Sequence, residues 1–198
     1  MNSAPRILIL YAHPAPRNSR VNRRLCEVAR TIPNVFVHDL YDTYPDFHID
    51  VQHEQMLLAS SDLIIFQYPV YWYSTPSLLK EWLDVVLEHG WAYGHGGDAL
   101  QGKDSWLVAS TGGQESSYSE SGHHHRSFED FLPPIEQTAL FCGMRWLPPL
   151  ILHGARTIED SALEERVERF RQRLVSYPQW TEQFPAAPYA PAATDSQH

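Results

Sequence analysis

Apolar positions along the chain fall into two kinds of block. Arg6-Ile7-Leu8-Ile9-Leu10-Tyr11 is a nearly unbroken apolar run, and such runs suit a strand covered on both faces, as in a parallel sheet. Asp62-Leu63-Ile64-Ile65-Phe66-Gln67-Tyr68 and Trp106-Leu107-Val108-Ala109-Ser110 have the same character. Val35-Phe36-Val37-His38 reads as a shorter strand, and residues 145–152 as a fifth, bent by Pro148 and Pro149. The blocks between them repeat with helical spacing. Ser19 can cap a helix running to about Arg30, with Val21, Leu25, Val28 and Ala29 on one face. A short helix is expected over 51–60. Another starts at Pro76, with an apolar stripe of Leu78, Leu79, Trp82, Leu83, Val86 and Leu87. Helices near 128–142 and over 159–176 complete the set. Residues 39–50, 90–103 and 111–127 read as loops.

Strands and helices therefore alternate, which implies a parallel sheet between two helical layers. Five strands favour an α/β, flavodoxin-like, doubly wound five-stranded parallel sheet with helices on both faces. Ligands of such sheets bind beyond the carboxyl ends of the strands, near the switch point. Residues 1–177 form the expected domain. From Pro178 to His198 proline and alanine dominate without helical period, and this segment is expected to be an arm or tail.

The 24 acidic against 15 basic side chains give a formal net charge of −9. That argues against a general nucleic-acid surface, which needs clustered cations against phosphates. Cys26 and Cys142 form no C-x-x-C pair, so a reducing, cytoplasmic setting is expected. No stretch approaches 18 apolar residues and no signal-peptide pattern is visible; any membrane association would come through a partner.

Three loops at the carboxyl edge carry the unusual residues. The first, His13-Pro14-Ala15-Pro16-Arg17-Asn18-Ser19-Arg20-Val21-Asn22, leads into a helix whose free N–H groups and dipole favour an anion. Ser19, Asn22 and His13 add side-chain donors suited to a phosphate; plain capping by Ser19 is the competing reading. The loop has neither G-x-G-x-x-G nor the P-loop pattern. The second, Pro69-Val70-Tyr71-Trp72-Tyr73-Ser74-Thr75-Pro76, holds three consecutive aromatics between prolines. It suits stacking on a planar ligand, or a dimer interface. The third, Ser110-Thr111-Gly112-Gly113, lets a backbone approach a ligand closely, or is a simple turn. Beyond it lie Tyr118 and His123-His124-His125. Three adjacent imidazoles rarely meet on one ion and no further ligand cluster supports zinc, so no metal site is expected. Proton donation by a Tyr and a His beside a redox ring fits better. No G-x-S-x-G elbow is present.

Taken together in this order, His13-Pro14, Ser19 to Asn22, Pro69 to Trp72 and Thr111-Gly112-Gly113 resemble the NAD(P)H:quinone oxidoreductase family, over about residues 6 to 175. Tyr44-Pro45-Asp46-Phe47, Trp91 to Gly97 and Trp146-Leu147-Pro148-Pro149 are similar to its bacterial branch, which includes the ancillary subunits of glutathione-regulated potassium-efflux systems. The resemblance implies a flavin-dependent, two-electron hydride transfer from NAD(P)H to a quinone by a ping-pong cycle. His13 and Ser19, Arg20, Val21 and Asn22 would hold the flavin phosphate and ribityl chain. Val70, Tyr71, Trp72 and Tyr73 would line the ring, Ser110, Thr111, Gly112 and Gly113 would meet its pyrimidine edge, and Tyr118 and His124 would be catalytic. FMN is expected rather than FAD, because no extra segment is seen to cradle an adenosine. The alternative is a regulatory subunit that binds and activates a potassium-efflux transporter at the inner face of the membrane. A homodimer is expected from the apolar surface of the helix at 76–89 and its aromatic loop.

Overall fold

The computed structural model describes residues 4–185. Five parallel strands, β1 (Ile7–Tyr11), β2 (Val35–Asp39), β3 (Leu63–Pro69), β4 (Asp104–Ser110) and β5 (Arg145–Leu152), form one sheet in the order β2-β1-β3-β4-β5. The register places Ile9 beside Val37 on one side and Ile65 on the other. Ile65 in turn pairs with Trp106. The switch between β1 and β3 is where a doubly wound sheet opens its binding crevice.

Strand alternation divides the core in two. Leu8, Leu10, Ile64, Phe66 and Leu107 face α3 (Val51–Ala59), α4 (Ser77–Val86) and α5 (Pro133–Phe141). Ile7, Ile9, Ile65, Trp106 and Val108 face α1 (Val21–Ala29) and α6 (Asp160–Val175). The α4 stripe is spent inside this chain: Leu78, Leu79, Trp82 and Val86 are fully buried, while Lys80 and Asp84 pair on the outer face. Of the two surfaces expected to face a second copy, the stripe is thus used up within this chain, while Tyr71, Trp72 and Tyr73 in the loop after β3 stay exposed.

Three local readings change. Within the expected loop 39–50 sits a one-turn helix, α2 (Leu40–Thr43), because the Asp39 side chain accepts the Asp42 N–H at 3.3 Å. The expected helix at 128–142 opens as a 3-10 turn, Phe128–Phe131, and becomes α-helical only at Pro133, where missing N–H groups cost nothing. Ser19 does not cap α1; Arg20 precedes the helix and no side chain caps it.

Of the Pro/Ala-rich segment only residues 178–185 are described. Thr181 is fully buried and accepts a hydrogen bond from Arg145 Nη2 at 2.8 Å. Arg145 also makes a bidentate pair with the buried Asp104, at 2.6 and 2.7 Å. These contacts tie the chain end to the edge of the sheet opposite the ligand loops. The remainder of the expected arm lies outside the described residues.

Candidate functional site

The loops after β1, β3 and β4 lie at one edge of the sheet, and Ser110 joins all three. Its backbone carbonyl accepts the Val70 N–H at 2.8 Å. Its Oγ accepts the Asn22 amide at 2.7 Å, in full burial. Gln67, fully buried in β3, donates to the Asn22 carbonyl at 3.2 Å. Asn22 Oδ1 is left buried without a partner, as is Thr75 Oγ1 in the loop after β3. A buried acceptor without a donor costs about 1–3 kcal/mol, so both atoms suit the hydroxyls of a bound polyol such as a ribityl chain.

In the first loop a 3-10 turn, Pro16–Asn18, brings the chain to α1, whose first turn carries no acidic residue. His13 is buried, and its Nδ1 accepts the Ala15 N–H at 3.1 Å. Nε2 is therefore the protonated nitrogen, and burial lowers the imidazole's pKa, which keeps it neutral. A neutral Nε2–H, the buried Ser19 hydroxyl and the free N–H groups of α1 form a donor set that fits a phosphate. The Arg20 guanidinium turns away: it donates to the Ile158 carbonyl at 2.6 Å and pairs with Asp160. Only its backbone faces the loop's task.

The second loop is a tight turn. Tyr71 and Ser74 exchange backbone hydrogen bonds at 3.1 and 3.0 Å. Trp72 and Tyr73 between them have φ of +48° and +63°. Positive φ at both central positions defines a type I′ turn, normally an Asn-Gly or Gly-Gly site. A left-handed non-glycine residue costs about 1–2 kcal/mol, and Trp72 recovers nothing from packing at 91% exposure. Such strain gathers at ligand clamps. Trp72→Gly is thus expected to raise the thermal midpoint of the flavin-free protein by about 2–4 °C, read by a melt monitored through circular dichroism. A lower midpoint would show that the indole contributes to the fold.

The third loop folds back on itself. The Thr111 hydroxyl donates to the Gly113 carbonyl at 2.8 Å, so it is engaged within the turn. Tyr118 stacks on His124, with centroids 4.2 Å apart, and His124 Nδ1 lies 3.2 Å from the Tyr73 hydroxyl. Tyr73 itself stacks on Phe131. A Cβ added to Gly113 would stand 3.0 Å from His124 Nε2 and 3.3 Å from the Tyr118 ring, so glycine lets the pair lie against the backbone. Burial pushes the Tyr118 hydroxyl up, leaving it a proton donor at neutral pH. Of the histidine triplet, His124 is the ring packed into this cluster; His123 and His125 are exposed. Among the described residues no three His, Cys, Asp or Glu side chains gather to hold a metal ion.

One part of the site was not read from the sequence. The loop after β5 braces the third loop: the Gly154 N–H donates to the Gly113 carbonyl and the Ala155 N–H to the Thr111 carbonyl, both at 2.8 Å. His153 Nδ1 lies 3.0 Å from Thr111 Oγ1, and its ring packs on Tyr118 and Phe128. A histidine followed by glycine at the carboxyl end of a strand was the available signal.

Comparison with known proteins agrees with this architecture. The model of the flavodoxin-like fold family matches residues 5–174. The glutathione-regulated potassium-efflux system ancillary protein KefF of Citrobacter koseri is 47% identical over 171 residues, covering 86% of this chain and 96% of the relative. The crystal structure of general stress protein 14 from Treponema denticola, in complex with FMN, has a TM-score of 0.78 at 37% identity, covering 87% of this chain and 97% of that one. An NADPH-quinone reductase from P. pentosaceus has a TM-score of 0.77 at 31% identity, over 84% and 96%. The chain belongs to the flavodoxin-like fold family, alongside the quinone reductases and potassium-efflux ancillary proteins that it resembles.

Proposed function

We propose that the protein is an FMN-dependent NAD(P)H:quinone oxidoreductase working by a ping-pong cycle. The observation that carries this reading is the set of buried groups around Ser110: an unpartnered Asn22 acceptor and Thr75 hydroxyl, next to a phosphate-suited helix start. When bound, FMN takes two electrons from NAD(P)H and passes them to the quinone. The protein's part is to position and to manage protons. His13 Nε2–H, Ser19, Asn22 and the backbone N–H groups of Arg20 and Val21 hold the phosphate and polyol. Val70, Tyr71, Trp72 and Tyr73 form the wall against the ring. The backbone of Ser110, Thr111, Gly112 and Gly113 meets the ring's polar edge. Tyr118 Oη donates a proton to the quinone oxygen, and His124, stacked on Tyr118 and within hydrogen-bond distance of Tyr73, stands beside it as a second donor. The FMN complex of a relative at 37% identity supports FMN over FAD.

The purified chain should be yellow, release a flavin with the mass of FMN on denaturation, and oxidise NAD(P)H only when quinone is present. A colourless protein that stays colourless after incubation with FMN would end this reading.

The 47% identity to a potassium-efflux ancillary protein favours a second role: binding and activating such a transporter, from the cytoplasmic face. No helix among the described residues is long and apolar enough to cross a membrane, so this role needs a docking contact. The exposed Tyr71, Trp72 and Tyr73 supply apolar surface for a homodimer in the same scheme. Transporter stimulation by a variant without redox activity separates the regulatory role from the enzymatic one.

A further inference from the structure

Five of the 15 basic residues fall between Arg17 and Arg30. The structure divides them by purpose. Arg20 and Arg24 are ion-paired with Asp160 and Glu164 of α6 and hold the two helices together. Arg17, Arg23 and Arg30 instead line a cleft of about 300 Å³ between the first loop, α1 and the end of β2. Arg23 and Arg30 are seven residues apart, two helical turns, and so share a face. Arg17 and Arg30 make no ion pair or side-chain hydrogen bond among the described residues. Arg23 has only Glu27, at 3.7 Å.

Two further groups line this cleft. Tyr11 is 3% exposed and its hydroxyl has no hydrogen-bond partner, although buried hydroxyls are normally paired. Asp39, at the carboxyl end of β2, sits directly beside Tyr11 in the sheet register. Its carboxylate accepts the Asp42 N–H and is also held by the Tyr41 N–H, and the Arg30 charge acts on it from across the cleft. None of these residues is assigned to the proposed flavin site, although the Tyr11 hydroxyl lies beside the Ser19 side chain of that site.

We propose that this cleft is a second binding site, for a small phosphate ester that carries sugar hydroxyls. Three guanidiniums against the carboxylates of Asp39 and Glu27 leave an excess of one positive charge, on a chain whose formal net charge is −9. Guanidiniums bind phosphate oxygens with forked, charge-assisted hydrogen bonds. Asp39 accepts from a hydroxyl, in the position where acidic residues at the end of a second strand read a ribose in doubly wound sheets. Tyr11 supplies one more donor, and Pro16 an apolar wall. The volume lies at the lower end for small-molecule sites, roughly 300–1,000 Å³, which suits a sugar phosphate or a mononucleotide. This site adjoins the phosphate loop but does not rest on the redox reading.

The test is calorimetric titration, at low salt, of the full chain loaded with FMN and then freed of unbound flavin, so that the flavin phosphate loop is filled and no other phosphate ester competes. The probes are adenosine 5′-monophosphate, ribose 5-phosphate and adenosine. Both phosphates should bind, and adenosine at least about tenfold more weakly, since each tenfold is about 1.4 kcal/mol. Binding of both phosphates alike identifies the sugar phosphate as the recognised part; binding of the nucleotide without ribose 5-phosphate would overturn it. Arg23→Gln/Arg30→Gln should weaken phosphate binding by about tenfold or more, with flavin content and quinone-dependent NAD(P)H oxidation unchanged. Adenosine binding as tightly as its phosphate would overturn the proposal. So would unchanged affinity in the double variant, or no heat at millimolar ligand.

Discussion

Replacing Glu54 with alanine should lower the stability of the protein by about 3–5 kcal/mol, the usual cost of stripping one member from a buried charged network. Glu54 sits in the first turn of α3 and has no solvent exposure. Its carboxylate receives His38 Nε2 at 2.6 Å, Tyr44 Oη at 2.5 Å and Trp82 Nε1 at 2.7 Å. Alanine would orphan all three and leave a cavity under α4. Against the 5–15 kcal/mol of an ordinary domain, that is a large fraction. Urea unfolding at neutral pH measures it, and a loss below about 1 kcal/mol would mean that water replaces the carboxylate. The same network has a pH signature. Burial pushes the Glu54 carboxyl up, but the hydrogen bonds from His38, Tyr44 and Trp82 outweigh it, and the net direction is down. A carboxyl depressed in the folded state stabilises above its unfolded pKa, and that contribution is lost as pH falls through the folded value. The wild type should therefore lose stability on acidification below about pH 4 more steeply than Glu54→Ala does.

The second large effect is expected at the proton donors. With Tyr118→Phe and His124→Ala combined, reoxidation of the reduced protein by quinone should slow by about 10²-fold or more, the usual scale for a positioned acid. Reduction by NAD(P)H should change far less, because in the proposed cycle the two side chains act on the acceptor. Stopped-flow traces of flavin bleaching and recovery separate the two half-reactions. Equal rates in wild type and double variant would remove Tyr118 and His124 from the chemistry. Single variants are informative as well, since the rings stack at 4.2 Å and their effects should not add.

The sheet and its two helical layers were legible because buried parallel strands are written as apolar runs: all five expected strands occur within two residues of their expected limits. The three loops were legible because their composition cannot serve a core. What escaped has a common cause: it depends on side-chain partners distant in sequence. Glu54 reads as one more charged position on a helix, and only the fold brings Trp82 to it across 28 residues. His153 gains its meaning from Thr111, 42 residues earlier. The handedness of Trp72 and Tyr73 escaped for a different reason. Local propensity opposes it, and tertiary placement overrules propensity. The helix at Leu40–Thr43 was within reach, since Asp39 is a proper cap residue, but four residues show no helical period.

Ser110 shapes how the proposed flavin site would receive its ligand. Through its carbonyl and its hydroxyl it pins the loops after β1 and β3 to the end of β4. Folding has already immobilised these side chains, at about 0.5–1.5 kcal/mol each if it had to happen on association. Capture of the proposed flavin would thus be an encounter with a rigid mould, and the apo and holo backbones should be nearly superimposable. Selectivity among ligands then resides in which atoms line the mould, and a substitution at Ser110 would loosen several walls at once.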